Sequence, residues 1–226
     1  MSNSIHISRI SKKYGAKVAL SGIDLTISPG DCVALVGLNG AGKSTFIRLL
    51  AGIDHPDTGS IGIMPSCAIG YMPDHISFSS GVTGREWLRF LCKLKGSPKE
   101  HVRVVLAETG LEQVADEKVS SYSRGIVQRL LFAQMLLNDP SLLIMDEPES
   151  GLDPFWVKEW KQHIASFRKR GKTVIFSSHH LRDALESSSR IIIFSNGGII
   201  SDTAPAAWLS VSDPESFFFD RISAGV

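Results

Sequence analysis

The chain lacks a dominant charge, a long hydrophobic run and a recognisable leader. It carries 24 Lys and Arg against 23 Asp and Glu, a net charge of +1, so its composition indicates neither a nucleic-acid nor an anionic-membrane surface. No apolar run approaches the roughly 18 residues that a membrane-spanning helix needs. The first six residues lack the basic and then apolar form of a signal peptide. We therefore expect a cytoplasmic protein that binds no nucleic acid and reaches a membrane only through a partner.

Cysteine is scarce as well. Cys32, Cys67 and Cys92 are widely spaced and lie in or near apolar runs, a pattern typical of buried thiols in a reduced compartment. This spacing argues against a disulfide framework and against a metal cluster. No internal repeat is visible, and a length of 226 residues fits one domain or a domain with a subdomain.

The most informative stretch is residues 37–44, which read Gly-Leu-Asn-Gly-Ala-Gly-Lys-Ser and fit the phosphate-loop pattern G-x-x-x-x-G-K-[ST]. An apolar run at 32–36 predicts a buried strand before the loop, and residues 46–51 predict a helix after it. The glycines let successive N–H groups face a triphosphate, and the helix N-terminus adds positive charge. A glycine-rich turn with an ordinary surface lysine is the weaker alternative. The candidate ATP-binding residues are Gly37, Asn39, Gly40, Ala41, Gly42, Lys43, Ser44 and Thr45.

A second apolar run, at residues 142–145, ends in Asp146 and Glu147. Carboxylates at the C-terminal end of a buried strand lie where open α/β sheets bind ligands. Asp146, together with the Ser44 hydroxyl, is a candidate Mg²⁺ ligand, and Glu147 is a candidate for orienting or deprotonating the attacking water. The alternative is a solvated strand end.

The segments around these motifs predict an α/β fold. Runs at 5–10 and 18–27 predict two antiparallel edge strands joined by a loop that holds Tyr14. That tyrosine is a candidate for stacking on adenine, but packing on the sheet is an equally good interpretation of the residue alone. Residues 83–137 are predicted to be almost entirely helical, with capping boxes opening helices at Thr83 and at Ser97.

The C-terminal third continues the α/β pattern. Residues 154–170 predict an amphipathic helix, 173–176 a buried strand, and Asn196 with the two following glycines a hairpin. Residues 217–219 are three consecutive phenylalanines, and we expect at least two of their rings to pack on the domain or on a dimer mate.

Further motifs follow in a fixed order. Residues 122–129 read Tyr-Ser-Arg-Gly-Ile-Val-Gln-Arg, residues 150–153 read Ser-Gly-Leu-Asp, and His179 follows the strand at 173–176. From about residue 5 to 210 the chain resembles the nucleotide-binding subunits of ATP-binding-cassette (ABC) transporters. In that family these segments correspond to the L-S-G-G-Q-x-Q-R signature, the D-loop and the switch histidine, and Tyr14 corresponds to the adenine-stacking aromatic. The spacing also agrees, with 80 residues from Lys43 to Ser123 and 33 from Asp146 to His179.

The resemblance implies one ABC ATPase domain over residues 1–226: a P-loop NTPase cassette with an antiparallel β subdomain, a RecA-like parallel-sheet core and an inserted α-helical subdomain at about 83–137. A C-terminal extension would cover about 205–226. It also implies a head-to-tail dimer with ATP and Mg²⁺, in which Ser123 and Gly125 of one copy contact the nucleotide held by the other. His179 would hold the γ-phosphate. A separate membrane-spanning subunit would be the partner.

This sequence departs from the family pattern at several positions. Arg124 replaces the first glycine of the signature and Ile126 its glutamine, a form that resembles some export-type cassettes. Asp74 stands where a loop glutamine is expected and is a candidate metal ligand, although an ordinary loop aspartate is nearly as good an interpretation. The membrane subunit is expected to dock between the loop at 72–80 and the helix beginning near Thr83, with Phe78, Arg85 and Arg89 as candidate contacts.

Two other functions use the same phosphate loop. A soluble ABC-type ATPase acting on a ribosome or a nucleic-acid complex resembles this chain, but such proteins carry two nucleotide domains or long coiled coils. A small-molecule kinase would lack the signature and the D-loop. We therefore expect an ATP-hydrolysing subunit that powers a transporter, and an exporter in preference to an importer.

Overall fold

A computed structural model describes residues 4–64, 67–79, 81–209 and 213–224. In chain order the strands are β1 (Ile5–Tyr14), β2 (Lys17–Ile27), β3 (Cys32–Val36), β4 (Thr58–Gly62), β5 (Ile69–Met72), β6 (Leu142–Met145), β7 (Thr173–Ser178), β8 (Arg190–Ser195) and β9 (Gly198–Thr203). The helices are α1 (Lys43–Leu50), α2 (Gly84–Leu94), α3 (Glu100–Glu108), α4 (Arg124–Leu136), α5 (Pro154–Lys169), α6 (Leu181–Ser187), α7 (Ala206–Leu209) and α8 (Pro214–Ala224). A short 3-10 turn covers Val119–Ser121.

The first sheet is antiparallel, with strand order β2-β1-β4. The prediction of two edge strands was therefore wrong for β1, which pairs on both sides. The strand also runs on to Tyr14, which was predicted to lie in a loop. A bulge at Arg9, whose φ is 45°, lets Ile7 and Ile10 both face the core although they are three positions apart.

The second sheet has the order β5-β6-β7-β3-β8-β9, in which only β9 runs antiparallel to its neighbour. Every residue of β3 and β6 is buried, which explains why both read as unbroken apolar runs. The C-terminal ends of β3, β6 and β7 meet at one edge, because parallel neighbours end together. This edge carries the phosphate loop, the two carboxylates and His179. The predicted fold class is confirmed.

In the chain, the helices α2, α3 and α4 follow β5 and precede β6. The capping box at Thr83 is confirmed, since its hydroxyl accepts from the Glu86 N–H at 3.2 Å and the Glu86 carboxylate accepts from the Thr83 N–H at 2.9 Å. The capping box at Ser97 was wrong, because α3 begins after Lys99 without a side-chain cap. The Ser97 hydroxyl instead lies 3.3 Å from Asn138 Oδ1.

The C-terminal elements follow the predicted pattern closely. Asn196 (φ 48°) and Gly197 (φ 77°) form the turn between β8 and β9, as the Asn-Gly pair predicted. In α8, Phe218 is buried and Phe217 packs on Trp208 with ring centroids 5.3 Å apart, whereas Phe219 is 54% exposed. The packing of two of the three rings is thus confirmed.

The structure bears on two predictions from composition, that the cysteines are buried thiols and that the chain has no membrane-spanning helix. Cys32 and Cys92 are buried thiols as predicted, but Cys67 is partly exposed, because it lies in the loop before β5 and not within a strand. Within the described ranges, no helix has both the length and the apolar character needed to cross a bilayer.

Candidate nucleotide-binding and catalytic site

The phosphate loop connects β3 to α1 and is pressed against the antiparallel sheet. Gly42 has φ 111°, and a Cβ at this position would lie 2.7 Å from the backbone oxygen of Ala19. Only glycine fits both the backbone conformation and the space. The close approach fixes the start of α1 and places Lys43 at its first turn.

The Lys43 side chain is buried and folds back onto the phosphate loop. Its ammonium donates to the carbonyl oxygens of Gly37 at 2.7 Å and Leu38 at 3.1 Å. Burial lowers the pKa of Lys43, and the charges of Glu147 and Asp146 partly oppose this shift. A phosphate oxygen is a stronger, charged acceptor than either carbonyl, so the lysine can exchange its loop partners for a triphosphate.

Asp146 lies directly opposite Ser44. Asp146 Oδ1 accepts from Ser44 Oγ at 3.1 Å and from Ser177 Oγ at 2.6 Å, and the side chain is buried. A hydroxyl and a carboxylate converging at the helix N-terminus form an oxygen donor set, which suits a hard divalent cation such as Mg²⁺. These residues therefore fit the metal that the sequence indicated.

Glu147 adopts a left-handed backbone, with φ 47°. Its N–H donates to Ser177 Oγ at 2.9 Å, and its carbonyl accepts from Gln128 Nε2 at 3.0 Å. Such a backbone is uncommon outside glycine and here needs both hydrogen bonds to hold it. The result is a carboxylate whose Oε2 lies 3.4 Å from Nδ1 of His179. The structure thus brings the two predicted catalytic residues together.

A cleft of about 170 Å³ opens above the phosphate loop. Tyr14 forms one wall; the residue is 43% exposed, and its hydroxyl donates to Asp54 Oδ2 at 2.6 Å. This hydrogen bond and Lys12 hold the pKa of Asp54 well below its usual range, so the acceptor stays charged. The cleft is lined by Tyr14, Lys17, Ala19, Asn39, Gly40, Gly42, Lys43, Ser44, Thr45 and Glu147.

Ser123 and Gly125 lie outside this cleft. Ser123 is the N-cap of α4, with its hydroxyl accepting from the Ile126 N–H at 3.4 Å. Its neighbour Arg124 donates to Ser150 Oγ at 2.6 Å, so the signature segment contacts the D-loop within one chain. At Gly125 a Cβ would lie 3.1 Å from the Gly151 carbonyl oxygen, which favours glycine at that position.

Asp74 is exposed in the loop after β5. It contributes no side-chain hydrogen bond or ion pair to Ser44 or Asp146 among the described residues. The loop itself leaves the sheet beside the site, because the Met72 carbonyl accepts from the Asp146 N–H at 2.9 Å. Asp74 is therefore close in chain position to the metal-binding pair but is not joined to it.

Comparison with known proteins agrees with this geometry. A family model described as "ABC transporter" matches residues 20–150. The chain belongs to the ABC transporter family. The relatives include "Nod factor export ATP-binding protein I" of Burkholderia orbicola, 33% identical over 217 residues that cover 90% of this chain and 71% of the relative. Another is "Uncharacterized ABC transporter ATP-binding protein YxlF" of Bacillus subtilis, 35% identical over 211 residues that cover 86% and 69%.

Solved structures give the same fold. A structure described as the ATP-binding subunit of an ABC transporter superposes with a TM-score of 0.84 at 25% identity, covering 97% of this chain and 99% of that one. A dimeric post-hydrolysis ATP-binding cassette bound to ADP and Pi superposes at 0.81 and 23% identity, covering 89% and 98%. The chain is an ATPase, the ATP-binding subunit of an ABC transporter. The ribosomal, nucleic-acid and kinase alternatives have no support from these relatives.

Sequence reasoning missed several residues of this ABC site. Lys17 and Ala19 line the cleft because the hairpin places Lys17 opposite Tyr14, a pairing that two adjacent strand runs would have suggested. Ser177 contacts both carboxylate-bearing residues, although the predicted strand at 173–176 stops one residue before it. Gln128 lies in the signature segment, where the sequence predicted no role for it. Its side-chain amide donates a hydrogen bond to the Glu147 carbonyl oxygen.

Proposed function

We propose that this ABC subunit hydrolyses ATP with Glu147 orienting the attacking water and His179 contacting the γ-phosphate. The observation that carries the proposal is the approach of His179 Nδ1 to Glu147 Oε2, at 3.4 Å, beside the cleft over the phosphate loop. A carboxylate acting as base must lie near both the water and the phosphate. Glu147 lines the same cleft as Lys43, which supports this role.

The remaining site residues bind and orient the substrate in this proposal. Tyr14 stacks on adenine, the N–H groups of residues 37–45 surround the phosphates, and Lys43 donates to the β- and γ-phosphates. Ser44 and Asp146 hold Mg²⁺, with Asp74 as a further ligand from the loop. When bound, Mg²⁺ neutralises charge on the phosphate oxygens.

The site is completed by a second copy of the chain in this proposal. Ser123 and Gly125 are outside the cleft of their own chain. The N-terminus of α4, a position that favours anions, is capped by the Ser123 hydroxyl. In a head-to-tail dimer the signature segment of one copy would close the cleft of the other. The dimeric cassette among the structural neighbours is consistent with such a pairing.

We infer that the partner is a membrane-spanning subunit and that the transporter is an exporter. The Burkholderia orbicola relative is named as an export ATP-binding protein, and the signature with Arg124 and Ile126 resembles export-type cassettes. The subunit would then attach to the cytoplasmic face of the membrane through that partner.

Substituting Glu147→Gln tests the catalytic assignment. The amide retains the shape of the side chain but cannot accept the proton, so turnover should fall by about 10²-fold or more while ATP binding persists. The ATP-bound dimer should accumulate and be visible by size-exclusion chromatography. Glu159→Gln on α5 is the control. Parental turnover in the Glu147 variant would show that another residue orients the water.

Mixing two inactive variants tests the head-to-tail arrangement. Lys43→Ala disables the phosphate loop and Gly125→Asp disables the signature segment, so each homodimer has two defective sites. In a head-to-tail heterodimer both defects fall in one site and the other site is intact. Mixing should therefore restore ATPase activity. If mixed samples stay inactive although heterodimers form, the signature segment does not act on the partner's nucleotide.

A further inference from the structure

Glu149 is a buried carboxyl with no role in the chemistry described above. It lies in the turn between Glu147 and the D-loop and is only 4% exposed. One oxygen accepts a hydrogen bond from Ser178 Oγ, and the other is buried without a hydrogen-bond partner among the described residues. Burying a carboxyl costs free energy because the group loses its contact with water, and one hydrogen bond offsets only part of that cost. Packing alone therefore does not explain Glu149.

Ser178 connects this carboxyl to the loop that carries His179. The Ser178 oxygen accepts from the His180 N–H at 3.0 Å, which is the amide of the peptide bond joining His179 to His180. The same oxygen lies 3.2 Å from the His180 carbonyl. A hydroxyl has one hydrogen to donate, so it donates either to Glu149 or to that carbonyl.

The rings of His179 and His180 pack against each other. Their ring centroids are 3.9 Å apart, with an interplanar angle of 45°. A shift of the 179–180 peptide therefore shifts the ring that approaches Glu147. Hydrogen bonds in a chain strengthen one another, so donation from Ser178 to a charged Glu149 makes the serine oxygen a better acceptor for the His180 N–H.

We propose that Glu149 is a positioning residue that acts through Ser178 to hold His179 against Glu147, so that the D-loop turn and the switch histidine are coupled within one chain. This inference rests on the proposed role of His179 in hydrolysis. It assigns a role to Glu149 and Ser178 and leaves the reacting groups unchanged.

The coupling should depend on pH near neutrality. Burial, with a smaller contribution from the charges of Asp183 and Glu147, raises the pKa of Glu149 to about 7 against the opposing effect of the hydrogen bond from Ser178. Asp183, on α6, is itself paired with Lys161 of α5 at 2.6 Å. Above this pKa Glu149 is ionised and accepts from Ser178, whereas below it the serine hydrogen is free to turn to the His180 carbonyl. We expect kcat to rise across pH 6–8 with Glu149 present.

Steady-state ATPase measurements on Glu149→Gln and Ser178→Ala test the coupling. Glutamine mimics the neutral carboxyl, so both variants should lose the rise in kcat and fall roughly fivefold below the parent at pH 8. The KM for ATP should stay unchanged, and Ser178→Thr, which keeps the hydroxyl, should retain most of the parental kcat. Matched controls are Glu159→Gln and Ser201→Ala, which removes a buried hydroxyl that has no hydrogen-bond partner in the part of the chain that the structure describes.

His179→Ala separates this inference from the proposed function. If His179→Ala hydrolyses ATP at the parental rate, the assumed role of His179 is wrong and the coupling falls with it. If His179→Ala is inactive while Glu149→Gln and Ser178→Ala keep the parental kcat and pH profile, only the coupling is overturned. Thermal unfolding of each variant, followed by circular dichroism, establishes that folded protein is compared.

Discussion

Single side chains in this ABC subunit organise the charges around the phosphate loop. Ser177 is the clearest case, because its one hydroxyl donates to Asp146 and accepts from the Glu147 N–H. It thereby fixes the candidate metal ligand and the candidate base relative to each other. A serine at the end of a neighbouring strand sets the spacing on which the proposed chemistry depends.

Lys43→Ala should remove most of the affinity for ATP. The lysine ammonium is the buried cation of the cleft, and its loss removes a charged donor that would bind the phosphates directly. Calorimetric titration with ATP measures the change, and Lys17→Ala, at the cleft wall, is the comparison that should lose less. Unchanged binding by the Lys43 variant would contradict the role given to the loop.

Glu149 should make the stability of the protein depend on pH. Its pKa is raised from 4.5 to about 7 in the folded protein, so its stabilising contribution is complete below pH 4.5 and is lost as the pH rises to 7. The loss is at most about 3 kcal/mol. Urea unfolding at pH 5 and pH 8 should show that Glu149→Gln gains stability over the parent at the higher pH. An equal difference at both pH values would mean that Glu149 is ionised throughout.

The helices α2 and α3 begin differently, although the sequence before each one has the same capping-box pattern. Thr83 and Ser97 both precede a glutamate by three residues, but only Thr83 caps a helix. Ser97 is held in the turn after α2, where its carbonyl accepts from the Cys92 thiol at 3.2 Å. The Ser97 hydroxyl donates to Asn138 Oδ1 and caps no N–H group of α3.

Substituting Thr83 and Ser97 separately tests whether each side chain stabilises the start of its helix. Thr83→Ala should lower the free energy of unfolding by about 1 kcal/mol, the usual value of a lost N-cap. Ser97→Ala should change it by no more than about 0.5 kcal/mol, as surface substitutions do. Urea unfolding monitored by circular dichroism measures both. A larger loss for Ser97→Ala would mean that its hydroxyl stabilises α3 after all.

The whole molecule presents a surface beside α2 for the proposed membrane subunit. Arg85, one of the candidate contacts, is engaged internally, because it donates to both carboxylate oxygens of Asp116 at 2.7 and 2.9 Å. Phe78 packs edge-on against Trp87 with centroids 5.2 Å apart. Arg89 is exposed, so it is more available for docking than Arg85 or Phe78.

Arg89→Glu should weaken co-purification of the membrane subunit while the basal ATPase rate stays at the parental level. Reversing this charge changes the proposed docking surface without breaking the internal ion pair of Arg85. Arg103→Glu, on the exposed side of α3, is the matched control. Intact assembly and transport with the Arg89 variant would place the docking surface elsewhere.

Features that depend on local chemistry were predictable from the sequence. The phosphate loop needs glycines at particular backbone conformations, the Thr83 box satisfies donors within one turn, and the Asn196 turn requires left-handed residues. Each of these constraints acts over a few residues, so a short pattern reveals it. The order of the phosphate loop, the signature segment, the D-loop and the switch histidine was enough to indicate the family and the ATPase activity.

Other features were decided only by the tertiary structure. The central position of β1, the internal commitment of Arg85 and the contacts of Ser177 and Glu149 all join residues that are far apart in the chain. Ser177 and Asp146 are separated by 31 residues, and they meet because β6 and β7 are parallel neighbours. Burial at that shared edge removes polar groups from water, so they bond to residues that are distant in the chain, and no local pattern specifies which ones.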